Sequence, residues 1–158
     1  MNIFTGTSDL FDTYGDQLET CATQLRSYGT HTRFTGKIVT LRSFEDNLLL
    51  KDLIREPGEG RVIVVDSGAS LRVAMLGDNM ARLAADNDWA GVVVNGAVRD
   101  VTALANLPIG IRALGSNPRR SRKDGVGHVG ETLSFGGAVF TPGRQLVADE
   151  DGVVVLPA

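Results

Sequence analysis

The 158-residue chain holds one cysteine and two histidines, and each scarcity removes a class of chemistry. Cys21 alone cannot form an internal disulfide, which fits a reducing compartment. With no histidine near it in sequence, it reads as a small buried or partly buried thiol rather than a nucleophile. His31 and His128 each stand alone, without a second histidine at metal-ligand spacing, and read as surface or turn residues. No apolar run approaches the roughly 20 residues needed to cross a bilayer. The opening Met1-Asn2-Ile3-Phe4-Thr5 lacks the basic start and apolar core of a signal peptide. The expectation is a cytoplasmic protein without a membrane partner. A formal charge of −3 exerts no general pull on nucleic acid. Hydrophobic content of 42% and charged content of 22% suit one globular domain spanning residues 1–158.

What is present alternates between helical and strand patterns. Leu10, Phe11, Tyr14 and Leu18 recur at helical spacing behind Ser8 and Asp9, predicting a first short helix. Lys37–Leu41 reads as a strand, Phe44–Arg55 as a helix stopped by Glu56-Pro57-Gly58, and Arg61–Asp66 as a second strand. A helix over Leu71–Met75 is expected after the turn Ser67-Gly68-Ala69-Ser70. Another helix follows Gly77-Asp78-Asn79, with Met80, Leu83 and Ala84 facing inward. After the strand around Val92–Val94, a short helix over Val101–Leu107 and a strand over Ile109–Ala113 complete this half. From Val129 onward, glycine turns separate short strands, and Asp149-Glu150-Asp151-Gly152 reads as a hairpin turn between valine-rich strands. An α/β half followed by a β-rich half points to a layered β/β/α sandwich.

Chemistry concentrates where the strand Val92–Val94 runs into Asn95-Gly96, a glycine-permitted turn that delivers Arg99 and Asp100 side by side. Open α/β sheets bind ligands beyond the carboxyl ends of such strands. Asp100 offers oxygen to a divalent cation, and Arg99 offers a planar fork to a carboxylate or a developing enolate. The same two residues also suit a surface pair at a helix start, with Asp100 at the positive end of the helix dipole. Gly77-Asp78-Asn79-Met80 places backbone N–H groups at a second helix start, a ready anion site, or a simple break and cap. A right-handed crossover would bring it to the same sheet edge as Arg99. The tract Asn117–Gly125 contains Arg119, Arg120, Arg122 and Lys123 but no aromatic platform for stacked bases, so direct nucleic-acid binding is not expected. It reads as a solvated loop, with anion or subunit contacts as the alternative.

Six segments, in order, resemble the RraA family, which is similar to divalent-metal 4-hydroxy-4-methyl-2-oxoglutarate aldolases. They are Phe44-Glu45-Asp46-Asn47, Arg61–Asp66, Leu76–Asn79, Gly91–Asp100, Phe135-Gly136-Gly137 and Ala148–Gly152. The resemblance implies a swivelling-domain β/β/α architecture and a homotrimer. It implies two kinds of activity: inhibition of the endoribonuclease RNase E, through RNase E itself or an RNA helicase, or metal-dependent cleavage or decarboxylation of pyruvyl keto acids. It assigns Gly77, Asp78, Asn79, Met80 and Arg99 to substrate binding, Arg99 and Asp100 to catalysis, and Asp100 to Mg²⁺ or Mn²⁺. One departure stands out. The family's aldolases follow Arg-Asp after two residues with Asp or Glu, and that position here is Ala103. An alanine cannot hold a metal-bound water, so weaker metal binding or lost activity is expected.

Overall fold

The computed structural model describes residues 6–158, so the opening segment read against a signal peptide lies outside the described residues. The chain opens with α1 (Thr7–Tyr14), a short 3-10 turn, and the two-residue strands β1 (Glu19–Thr20) and β2 (Arg26–Ser27). The α/β half then follows as β3 (Phe34–Arg42), α2 (Leu48–Ile54), β4 (Val62–Asp66), β5 (Ala74–Leu76), α3 (Asp78–Asp86), β6 (Gly91–Val98), α4 (Val101–Leu104) and β7 (Gly110–Ser116). The remainder is β8 (His128–Val129), β9 (Leu133–Phe135), β10 (Ala138–Phe140), β11 (Gln145–Asp149) and β12 (Gly152–Val155).

One large mixed sheet runs β1-β12-β11-β3-β4-β6-β7-β2, with β5 paired to β6 and β8 to β3. β3, β4, β6 and β7 are mutually parallel, while β11 and β12 continue the sheet antiparallel. Alternation along the parallel strands divides two cores. Ile63, Val65, Val92 and Val94 pack with Leu50, Ile54, Ala81 and Leu104 on the helical side. Val62, Val64 and Val93 pack with Phe140, Leu146 and Val153 on the other side, where the β9–β10 hairpin and the β11–β12 arm close over them. Period-2 side chains therefore serve two hydrophobic layers at once, which is why these strands read as continuous apolar runs. Phe34 lies against the glycines that begin β6 and β7: a Cβ on Gly110 would come within 2.1 Å of its ring, and one on Gly91 within 2.5 Å.

Several sequence expectations are corrected here. Residues 71–73 are not helical, and Ala74–Leu76 is a strand, because this buried run adds to β6 beyond the end of β4. A short apolar run carries no periodicity that separates helix from strand. The helix expected from Phe44 starts only at Leu48, since Glu45 adopts a left-handed φ of 56° that no helix accommodates. In α1, Leu10 is buried, whereas Phe11 and Tyr14 are exposed, and Leu18 joins the core only after the helix has ended. In α3, by contrast, Ala84 is buried and Met80 and Leu83 pack half-buried against the core beside a cleft, as expected, and Ala81 joins them. α4 is one turn, ending at Leu104. The turn expected at Asn95-Gly96 is instead the middle of β6, marked by a register shift between Val94 and Ala97. The hairpin at Asp149–Gly152 forms as expected. Among the described residues, no helix is long and apolar enough to cross a membrane.

Candidate active site

β5 and β6 are parallel neighbours, with Leu76 opposite Val98, so the residues that follow each strand emerge together. The Arg99 amide donates to the Leu76 carbonyl at 3.0 Å, extending the pairing by one residue past β6. Gly77 then turns into α3 and Asp100 turns into α4. Asp100 does so in the left-handed region, at φ 59° and ψ 42°, a conformation that aspartate tolerates better than most residues at a cost of order 1 kcal/mol.

The two turns are in contact. The Asp78 amide donates to Asp100 Oδ2 at 3.0 Å, and Arg99 Nε lies 3.9 Å from the same oxygen. A Cβ on Gly77 would approach Asp100 Oδ2 to 2.8 Å and Arg99 Nε to 3.2 Å, so only glycine lets these side chains close over the turn. The Asp78 amide holds the Asp100 carboxyl below the usual range, against the opposing effect of burial; the Asp78 carboxyl and the Arg99 charge act in the same direction. The Asp78 carboxylate accepts from the Asn79 amide at 2.8 Å. The Asp78 and Asn79 amides are thus already engaged by carboxylates of the chain. An incoming anion must be met by Arg99 or displace them.

These residues border a cleft of about 320 Å³. Gly77, Asp78, Asn79, Met80, Arg99 and Asp100, all singled out in the sequence, line it together. The sequence reading missed its other wall, where Lys51 of α2 and Arg120, Ser121 and Lys123 of the basic tract also line it. That tract is not a solvated loop along its whole length. The Ala74 amide donates to the Arg119 carbonyl at 2.7 Å, and buried Ser121 donates through Oγ to the Ala74 carbonyl at 2.7 Å. Asp46 accepts from the amides of Asp124, Gly125 and Val126. Although burial pushes Asp46 up, these amides and that of Leu48 hold it below its ordinary value. The residue behind this clamp is Asp46, whose loop partners lie 78 to 80 positions away and are invisible to local spacing.

Four cations, Lys51, Arg99, Arg120 and Lys123, thus surround two carboxyls in one cleft, which favours a small anion. Asp78 and Asp100, joined through the Asp78 amide and both lining the cleft, offer carboxylate oxygen only, a donor type that fits a hard divalent cation bound by one or two carboxylates and water. Among the described residues no group of three His, Cys, Asp or Glu side chains is gathered for a metal. Ala103, half-buried in α4, contributes no ligand.

Comparison with known proteins gives the family of the chain. The profile of the RraA-like (Aldolase/RraA) family matches residues 5–155. A protein of Laribacter hongkongensis (strain HLHK9) named "Putative 4-hydroxy-4-methyl-2-oxoglutarate aldolase" is 50% identical over 151 residues, covering 96% of this chain and 95% of its own length. The structure of the RNA-processing inhibitor RraA from Thermus thermophilis superposes with a TM-score of 0.93 at 47% identity, over 96% of this chain and 92% of that one. A Geobacillus kaustophilus HTA426 structure described as S-adenosylmethionine: 2-dimethylmenaquinone methyltransferase gives 0.92 at 41% identity, over 96% and 94%. Three different activities are named on one backbone, so fold alone does not select among them. The chain belongs to the RraA-like family.

Proposed function

We propose that the chain is a divalent-metal-dependent lyase of the class II aldolase kind, cleaving 4-hydroxy-4-methyl-2-oxoglutarate to pyruvate and decarboxylating oxaloacetate in the cytoplasm. The observation that carries this reading is the meeting of Arg99, Asp100 and the Gly77–Asp78 turn at the mouth of a cation-rich cleft. The name borne by the half-identical Laribacter protein supports it. The domain is read as one swivelling-type β/β/α unit spanning residues 1–158.

In this reading Arg99 binds the carboxylate or keto oxygen of the pyruvyl unit and stabilises negative charge as the bond breaks, a contribution commonly worth several kcal/mol. Asp100, with Asp78 beside it, would hold Mg²⁺ or Mn²⁺. A bound ion supplies Lewis-acid polarisation of the keto acid. Gly77 keeps the turn thin enough for the substrate to reach Arg99, and Asn79 and Met80 form the adjoining wall. The cleft is open on one side in the single chain, and a homotrimer would enclose it between subunits.

Two observations favour a second reading, a non-catalytic regulator that binds RNase E or an associated RNA helicase. Ala103 removes the acid that the family's aldolases carry, and the Thermus inhibitor is 47% identical. Pyruvate release from 4-hydroxy-4-methyl-2-oxoglutarate and oxaloacetate, with Mg²⁺ and with chelator, separates the two. Chelator-sensitive turnover supports the lyase. No turnover, together with capture of RNase E by the trimer, supports the regulator.

A further inference from the structure

Arg120 stands where two cavities meet. Like Lys51 and Lys123 of the same cleft it has no salt-bridge partner among the described residues, whereas Arg72, which lines the adjoining groove, is held by Glu45 through two bonds of 2.8 and 2.7 Å. The residue borders both the 320 Å³ cleft and an adjoining groove of about 270 Å³ formed with Glu45, Arg72, Arg119 and Arg122. The backbone on both sides of it is fixed. Arg119 is tied to Ala74, Ser121 to Ala74, and Arg122 exchanges bonds of 2.9 Å with Glu45 and Asn47. A pinned arginine without a carboxylate, at the junction of two cavities, is a recognition group in search of an anion.

We propose that Arg120 reads a second carboxylate on the substrate, so that the cleft selects keto diacids over keto acids with a neutral tail; this rests on the lyase reading above. The backbone register sets the scale. Arg120 pairs with Ala74, three residues before Gly77 on β5, about 10 Å along the strand at about 3.3 Å per residue. A five-carbon diacid separates its carboxyl carbons by about 5 Å, from four bonds of about 1.5 Å in a staggered chain. The arginine side chain covers the remainder. With its pyruvyl end against Arg99, such a substrate presents its far carboxylate to Arg120, and Lys123 adds positive charge on the same wall.

The test compares two substrates that break the same bond. In 4-hydroxy-4-methyl-2-oxoglutarate the C3–C4 bond cleaves, the hydroxyl loses its proton to leave a ketone, and C3 takes up a proton, giving two pyruvates. 4-Hydroxy-2-oxopentanoate reacts identically, giving pyruvate and acetaldehyde, but has no second carboxylate. The parent protein should favour the diacid in kcat/KM by at least about tenfold. Arg120→Gln should erase most of that preference, chiefly through KM for the diacid, Arg120→Lys should restore part of it, and Arg119→Gln should leave it intact. Equal losses on both substrates, or a preference unchanged in Arg120→Gln, would overturn the assignment. Calorimetric binding of 2-oxoglutarate against 2-oxopentanoate gives the same comparison without turnover. If the parent releases no pyruvate yet binds the diacid more tightly, and Arg120→Gln loses that difference, the lyase reading fails while the Arg120 assignment stands; equal or absent binding of the two acids overturns Arg120.

Discussion

The amide of Asp78 donates to the carboxylate of Asp100 at 3.0 Å, joining the first turn of α3 to the residue that opens α4. The bond crosses from the end of one parallel strand to the end of its neighbour. It fixes where the Asp100 carboxylate stands relative to the start of α3.

Asp100→Asn should therefore keep the fold and lose the chemistry. Asparagine also tolerates the left-handed conformation at this position and can still accept from Asp78, but it carries no charge for a cation. The expected result is a fall in Mg²⁺-dependent pyruvate release of about a hundredfold or more, with a melting temperature close to the parent's. Arg99→Ala should fall by a similar factor. Full activity in either variant would remove these residues from the mechanism.

Gly77→Ala tests the closeness of the two turns. Its backbone is extended, at φ −120°, so alanine meets no intrinsic strain. The added Cβ collides with the ends of Asp100 and Arg99, which can swing away. Stability should change by less than about 1 kcal/mol. Turnover should drop by about a hundredfold, as a displacement near 1 Å commonly causes. A parallel collapse of stability and activity in a denaturant titration would mean that the turn serves the fold instead.

Ala103→Glu returns an acid to the first turn of α4. If its absence weakens the metal site, Mg²⁺ affinity measured by calorimetry should rise by about tenfold and lyase activity should rise with it. An unchanged titration would show that Asp78 already takes that part.

Acid stability should depend on a different carboxylate. Arg72, with help from Ser70, holds the Glu45 carboxyl at about 2, against an ordinary 4.5. Its folded value is the lower one, so its contribution is present above pH 4.5 and disappears as pH falls toward 2. The gap in urea midpoint between the parent and Glu45→Gln should therefore narrow through that window. A gap that stays constant from pH 6 to pH 3 would contradict this role.

The legible and illegible parts of this sequence divide along the range of the interactions involved. Strands β4 and β6 and the hairpin at Asp149–Gly152 were legible because β-branched runs and an Asp-Gly turn act locally. The helix expected over Leu71–Met75 does not form because the conformation there is set by an edge of β6 that is distant in sequence. The start of α2 was misplaced because Glu45 and Asp46 are committed to Arg72 and to the amides of 124–126, contacts no helical period reveals. For the same reason half of the cleft was legible. Gly77–Met80 and Arg99-Asp100 announce themselves as turns after strands, whereas Arg120 and Lys123 enter only because a loop folds back onto β5.

β6 is bonded to β4 on one side and β7 on the other, with β5 taking over beyond β4, and all eight of its residues are buried. Amides in such a strand exchange with solvent only when the whole domain opens. Arg99 is thus mounted on the last part of the molecule to breathe, while Arg120 rides on a loop clamped to Ala74, Glu45 and Asn47 by bonds that can open without unfolding the sheet. The two ends of the cleft keep different clocks, and ligand-dependent protection from hydrogen exchange belongs to the loop wall, not to the strand that carries the arginine.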